Sequence, residues 1–148
     1  MLADVPLQLP DPDSEFGVRV VRRLRDEPIA WLTHVDAAGA PQPAPVWFLW
    51  DDASGSVLVY SHGEARRLDH LAANPRVALH LDGDGRGGDI VVLTGEAERA
   101  PDEPPVQENP AYLAKYSEWI TEGWGTAEKF ASIYSEPLRV RLRRIRGH

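Results

Sequence analysis

The sequence predicts a mainly β, α+β domain: six short strands in a small antiparallel barrel, with a few helices packed outside. Three observations carry that expectation. Apolar residues come in short runs, several of them alternating with polar ones, as in half-buried strands. Most of these runs are joined by hairpin-length turn segments rather than helical crossovers. Helical periodicity is confined to the N-terminal region, one short segment between two runs, and a block near the C-terminus. A chain of 148 residues with 43% hydrophobic content suits one such domain with its own core.

Taken in order, Ser14 is placed to cap a helix over about 14–26, with Phe16, Val20, Val21 and Leu24 on one face and Pro28 beyond its end. IAWLTHV (29–35) reads as the first strand and DAAGAP as the turn after it. PVWFLW (45–50) reads as one near-continuous apolar strand, and DDASGS (51–56) turns it into VLVYS (57–61). A short helix over 64–73 buries Ala65, Leu68, Leu71 and Ala72. Asn74-Pro75 ends it and starts RVALHLD (76–82). The glycine-rich GDGRGGD loop leads to IVVLTGEAE (90–98), where Gly95 marks a bulge or barrel bend. The barrel thus spans about 29–99. The Pro-rich PDEPPVQENP (101–110) is a connection that excludes helix and central strand. A helical insertion over about 111–134 follows, as two stretches near 111–122 and 126–134. The last strand, about 137–146, alternates Leu138, Val140 and Leu142 with Arg139, Arg141 and Arg143. No internal repeat divides the chain, so residues 1–148 form one domain.

A formal net charge of -7 argues against general nucleic-acid binding. No 18-residue apolar run predicts a membrane span, and MLADVPLQLPDPD lacks the basic and apolar regions of a signal peptide, so a cytoplasmic location is expected. All basic residues except Lys115 and Lys129 are arginine and alanine is abundant, as in the GC-rich genomes of actinobacteria. With no cysteine, disulfides and thiolate metal sites are excluded. No histidine pair has the i, i+4 spacing of a helical metal site, so no metal is expected, and His34 and His80 read as strand residues of the core or barrel lining. Gly83, Gly85 and Gly88 match G-x-G-x-x-G, but the loop joins two strands instead of opening a helix, so it is no dinucleotide fingerprint. The D-G-D-G-R-G stretch fails as a calcium loop at Arg86 and Leu93. A mobile hairpin loop is expected there. There is no G-x-S-x-G, no cysteine nucleophile and no carboxylate pair in an apolar setting, so no catalytic side chain is assigned. Enzymatic chemistry in this chain would ride on a cofactor.

The stretch VLVYSHGEARRLDHL places Tyr60 and Ser61 at a strand end, and Arg66 and Arg67 at the mouth of the next helix. Two cations in a first helical turn oppose the helix dipole. An anion held between them and the first amides removes the conflict, and the strand-end hydroxyls add donors to it. The alternative is a solvated arginine pair bridging to Asp69 or Glu64 at helical spacing.

The stretch from Ile29 to Ala97 resembles the pyridoxamine 5'-phosphate oxidase-like split β-barrel superfamily. The resemblance rests on VLVYS, GEARRLDHL and ANPRVALHL, with T-G-E-A in the strand after them. APVWFLWDD, DGDGRGGDIVVLTGEA, YLAKYSEWI and PLRVRLRRIRG are similar to segments of the actinobacterial flavin/deazaflavin oxidoreductases of class B, which use coenzyme F420. The resemblance implies a six-stranded antiparallel split β-barrel with flanking helices, acting as a homodimer with the cofactor in a groove between subunits. It implies that the cofactor phosphate sits against Tyr60, Ser61, Arg66 and Arg67, with Leu68 beside them. The ring would lie along the backbone of Pro45, Val46, Trp47 and Phe48. Pyridoxamine phosphate oxidases proper carry basic residues where this chain has Pro45 and Trp50, which weakens FMN as the cofactor. The arginine-rich last strand offers a basic groove to the acidic tail of the deazaflavin coenzyme. The implied activity is hydride transfer from reduced deazaflavin to an unsaturated or quinone-like small molecule. The alternatives are an FMN-dependent enzyme of the same fold, or a non-catalytic carrier of flavin, deazaflavin or haem.

Overall fold

The computed structural model describes residues 10–148; the N-terminal segment read above for a signal peptide lies largely outside them. Helix α1 (Glu15–Asp26) is followed by β1 (Ala30–Val35), β2 (Pro41–Val46), β3 (Leu49–Asp51) and β4 (Ser56–Ser61). Then come α2 (Arg67–Ala73), β5 (Arg76–His80) and β6 (Val91–Arg99). A single 3-10 turn (Val106–Glu108), α3 (Pro110–Trp124), α4 (Ala127–Ile133) and β7 (Glu136–Gly147) complete the chain.

All strands belong to one antiparallel seven-stranded sheet in the order β2-β1-β5-β6-β7-β4-β3. Its two edge strands, β2 and β3, are consecutive in the chain and separated only by Trp47 and Phe48. Two linking residues span about 11 Å at full stretch. The sheet therefore curls until its edges face each other across that dipeptide, which makes it a split barrel.

The apolar run 45–50, expected as one strand, is divided by that crossing. Val46 ends the ladder with β1, opposite Ala30, and Leu49 starts the ladder with β4, opposite Leu58. Between them Phe48 enters the barrel core, 1% exposed, and Trp47 turns under the helices. A barrel corner with one side chain inside and its neighbour under a second layer reads as continuous hydrophobicity. That is why seven strands replace six.

The barrel core joins Leu32, Leu79, Leu93, Val140, Val57 and Val59 from successive strands, and α1 adds Val20 and Leu24. Strand β4 is buried along its whole length because α3 and α4 cover its outer face. Leu58 and Tyr60 point out to meet Tyr112, Tyr116, Ile120 and Phe130 in a second apolar layer. On α1, Ser14 caps the helix by accepting from Gly17 N–H (2.9 Å), as expected. Val21, expected inside, is exposed, and Arg23 takes the buried position. Its guanidinium bonds the Asp82 and Asp89 carbonyls and pairs with Glu27 (3.1 Å). That contact fastens the glycine-rich loop, whose Asp84 carboxylate also accepts from Arg86 and Gly88 N–H. The expected mobile hairpin loop is thus internally bonded and tied to α1. Gly95 sits at the expected bulge, between β6 and β7, where a Cβ would lie 2.0 Å from the Arg141 carbonyl oxygen. On α2 the buried residues are Leu68 and Leu71, while Ala72 is exposed and Ala65 precedes the helix. The Pro-rich connection, expected without helix, contains the 3-10 turn, which buries Val106 under α4.

Candidate functional site

A cleft of about 320 Å³ opens along the seam where the barrel edges meet. One wall is Pro45, Val46 and Trp47 at the end of β2, and the opposite wall is Tyr60 and Ser61 at the end of β4. The helical layer closes it with Tyr112, Trp124, Phe130 and Tyr134, and His62, Ala65 and Arg67 line the remaining side. The volume lies at the small end of the range for ligand pockets, about 300–1,000 Å³.

Trp47 lines this space from within a cluster of rings. Its ring lies nearly parallel to Tyr116 (4.8 Å between centroids, 9°) and to Phe130 (5.3 Å, 10°). Trp124 meets it edge-on at 5.8 Å. Tyr134 stacks on Phe130 at 4.6 Å and sets its edge toward Trp124 and His62. Interlocked aromatic rings of this kind form a rigid, dry wall with little side-chain freedom to lose when a flat molecule enters.

The backbone at the seam is fixed from behind. The Tyr116 hydroxyl accepts from Phe48 N–H (2.9 Å) and lies within hydrogen-bond distance of the Pro28 and Phe48 carbonyls (2.7 and 3.0 Å). The Lys115 ammonium also donates to the Phe48 carbonyl (2.9 Å) and sits 4.0 Å over the Phe48 ring. Burial pushes the Lys115 pKa down to about 8, only partly offset by Asp26 and Glu27, so the ammonium still predominates at neutral pH.

Arg67 is the cation of the cleft. It is half-buried, and among the described residues no carboxylate pairs with it; neither Glu64 nor Asp69 does so. Burial lowers its pKa from the ordinary arginine value, the mark of a guanidinium stripped of water without a counter-ion. The solvated-bridge alternative for this arginine is therefore not what the structure contains.

Six of the residues expected at the site line this cleft: Pro45, Val46, Trp47, Tyr60, Ser61 and Arg67. The other three do not. Phe48 is in the barrel core, with its backbone groups bonded to Tyr116 and Lys115. Leu68 is 4% exposed and packs into the same core, because one helical step turns it away from Arg67. Arg66 precedes the first residue of α2 without a capping side-chain hydrogen bond and lines a different recess, shared with His34 and His70. The strand-end hydroxyl of Tyr60, expected to meet an anion, is engaged elsewhere. It donates to the Pro104 carbonyl (2.6 Å) and accepts from Asn109 Nδ2 (3.0 Å). Helix α2 has seven residues, so its dipole adds little and the charge rests on the arginines.

Trp50 also lies outside the cleft, where its indole donates to Asp52 (2.9 Å). Three of the five arginines of β7 are matched to acids: Arg139 to Glu103, Arg141 to Glu98 (2.9 Å) and Arg143 to Glu96 (2.6 Å). Along Arg139, Arg141 and Arg143 the basic groove expected on β7 is neutralised by these glutamates, two on β6 and one just beyond it. Sequence reading missed Tyr112, Trp124, Phe130 and Tyr134. The available signal was the aromatic density of 112–134, which is far more than a two-helix hairpin needs for its own packing.

This fold is that of a known class. The model of the pyridoxamine 5'-phosphate oxidase family matches residues 18–144, and the chain belongs to that family. No curated protein matches the sequence. Among solved structures, it is similar to a putative pyridoxamine 5'-phosphate oxidase from Listeria innocua (20% identity, 89% of this chain and 97% of that one, TM-score 0.63). It is similar to an FAD-binding protein from Mesorhizobium loti (18% identity, 87% and 89%, TM-score 0.60). A third similar structure is an F420 reductase (20% identity, 82% and 90%, TM-score 0.57). At these identities the likeness is one of fold. Among the described residues no helix is long and apolar enough to cross a membrane, and no cluster of three or more acidic or histidine side chains is placed to hold a metal ion.

Proposed function

We propose that this chain is an oxidoreductase that binds coenzyme F420 in the seam cleft and passes hydride to an unsaturated or quinone-like small molecule. The observation that carries the reading is an aromatic-walled cleft with one half-buried guanidinium at its side that no carboxylate among the described residues pairs with. A planar ring carrying a phosphorylated chain needs those two surfaces, one apolar and one cationic. The family match and the solved F420 reductase of the same fold support it. Pro45 at the wall supports deazaflavin over FMN, because it supplies no basic group to the ring edge; Trp50, outside the cleft, no longer bears on the choice.

When bound, the coenzyme supplies the hydride. The protein's part is placement. Trp47, Trp124 and Phe130 set the plane and exclude water, Arg67 fixes the phosphate end, and Ser61, whose hydroxyl donates to the His62 carbonyl (3.3 Å), lines the wall. Two groups at the wall hold a proton: the Tyr134 hydroxyl, and His62 at Nε2, since its Nδ1 accepts from Glu64 N–H (3.1 Å).

Titrating the purified protein separately with the deazaflavin coenzyme, FMN and haem, followed by fluorescence or absorbance, tests the cofactor. Tightest binding of deazaflavin is the expected result. Tighter FMN binding, or purification as a yellow FMN protein, contradicts it.

The reading includes a homodimer. The outer face of β2, β1 and β5 carries Pro43, Pro45, Trp31, Thr33 and Ala78, of which the prolines are exposed and the others half-buried. Prolines along β2 block extension of the sheet edge, so a partner would pack face to face. Light scattering at micromolar concentration should give twice the 16.4 kDa chain mass. A mass near 16.4 kDa contradicts the dimer.

A further inference from the structure

Residues 47 and 48 carry the chain from one barrel edge to the other without strand partners. The ladder with β1 stops at Val46, and the ladder with β4 starts at Leu49. Side chains of α3 hold the dipeptide instead. Tyr116 takes the Phe48 N–H, and Lys115 takes the other side of the peptide. The Lys115 ammonium donates to the Phe48 carbonyl (2.9 Å) and lies over two rings, 4.0 Å from the Phe48 centroid and 5.3 Å from that of Tyr116. Trp47, in the wall of the cleft, precedes Phe48 directly and stacks on Tyr116. We propose that Lys115 is a positioning residue for the cleft: its ammonium clamps Phe48 and so sets Trp47 in the wall, and loss of the proton loosens that wall and weakens ligand binding.

The surroundings leave this charge to the carbonyl and the rings. Among the described residues no carboxylate pairs with Lys115. The acids that act on it come from the end of α1: Asp26, which pairs with Arg25 (3.3 Å), and Glu27, which pairs with Arg23 (3.1 Å). On α3 itself, burial pushes the Tyr112 and Tyr116 hydroxyls well up, so both stay protonated while an amine titrates, and Glu118 is exposed. β3 and β4 give this layer the apolar Leu49 and Leu58, and α4 gives it Phe130. A neutral amine still reaches the carbonyl, but as a weaker donor and without the attraction of a cation to the ring faces.

Stability and positioning have opposite signs here. Burial takes the Lys115 pKa down to about 8, below its ordinary value of 10.5, with Asp26 and Glu27 opposing. The unfolded chain therefore holds this proton more firmly than the fold does, and the fold gains stability as pH rises between those two values. Binding runs the other way. A ligand that needs the wall in place favours the ammonium, so its affinity falls as pH rises through about 8. A lysine that merely braced the fold would raise both or lower both. The effect on binding rests on the reading of the seam as the cofactor cleft; the clamp itself does not.

Two measurements on the full chain test this, and the first needs no coenzyme. Acrylamide quenching of the Trp47 emission, obtained by subtracting the matching Trp47→Phe chain, should rise in wild type with a midpoint at about pH 8. It should be high throughout in Lys115→Gln and low throughout in Lys115→Arg, which keeps its charge. Quenching that ignores pH in wild type, or that changes alike in all three chains, overturns the clamp. The second measurement titrates the deazaflavin coenzyme into wild type and Lys115→Gln from about pH 7 to about pH 9.5. The ratio of the two affinities cancels any titration of the coenzyme itself. Wild type should bind about fivefold more tightly at the lower pH and about equally at the higher. The melting temperature of Lys115→Gln at neutral pH should match or slightly exceed that of wild type. A ratio near one at neutral pH, a ratio constant with pH, or a large fall in melting temperature overturns the positioning role. The expected quenching in a chain that binds no coenzyme at any pH supports the clamp and counts against the cofactor reading alone.

Discussion

Replacing Arg67 with alanine should weaken binding of the phosphorylated coenzyme about 10- to 150-fold, the loss of a charge-assisted hydrogen bond of about 1.5–3 kcal/mol. Arg67→Lys should cost less, because the charge stays and only the two-pronged geometry is lost. Binding to the wild-type chain should weaken as salt rises, since part of the attraction is Coulombic. Stability should behave differently from affinity. Among the described residues Arg67 has no carboxylate partner, and α2 is anchored by Leu68 and Leu71 rather than by its first residue. Burial without a counter-ion is a cost to the folded state, visible in the lowered Arg67 pKa. Thermal unfolding of Arg67→Ala should therefore match or slightly exceed wild type. A large drop in melting temperature would assign the arginine a structural role instead.

Tyr116→Phe should give the largest loss of stability from a single atom. The hydroxyl accepts from Phe48 N–H and reaches the Pro28 carbonyl, and so ties the β2–β3 crossing to the segment after α1. Lys115 still donates to the Phe48 carbonyl after the change, which leaves the Phe48 N–H and the Pro28 carbonyl as the groups without a partner. At about 1–3 kcal/mol for each buried group left unbonded, the expected cost is about 2–4 kcal/mol. For a domain of this size that corresponds to a fall of about 5–15 °C in melting temperature. Coenzyme affinity should fall as well, because Trp47 stacks directly on the Tyr116 ring and takes its place from the same crossing. A melting temperature within about 2 °C of wild type would show that water replaces the hydroxyl, and that the seam is not fixed in this way.

The strands, the helical insertion and the bulge at Gly95 were legible because their signals are local. Alternation, a proline, or a glycine where the Arg141 carbonyl crowds in all lie within a few residues of the effect. The division of 45–50 was not legible. Val46 and Phe48 both enter the barrel while Trp47 and Leu49 go under α3 and α4, so burial in two layers hid the corner. The same two-layer burial makes β4 apolar throughout. At the site, the end of β2, the end of β4 and Arg67 were found from the family resemblance and the oddity of two cations opening a helix. Their neighbours Arg66 and Leu68 were placed with them, although successive helical residues point about 100° apart. The pairing of Tyr60 with Asn109 joins residues 49 apart in sequence, and that of His34 with His70 joins residues 36 apart. Neither leaves a periodic trace.

The central claim is that Arg67 reads the phosphate of a flat cofactor lying in the aromatic seam. A double-mutant cycle tests it most directly: wild type and Arg67→Ala, each titrated with the deazaflavin coenzyme and with its dephosphorylated chromophore. The account predicts that the substitution costs the coenzyme about 10- to 150-fold and leaves the chromophore nearly unaffected, a coupling of about 1.5–3 kcal/mol. Equal losses for both ligands, or no loss for either, would contradict it.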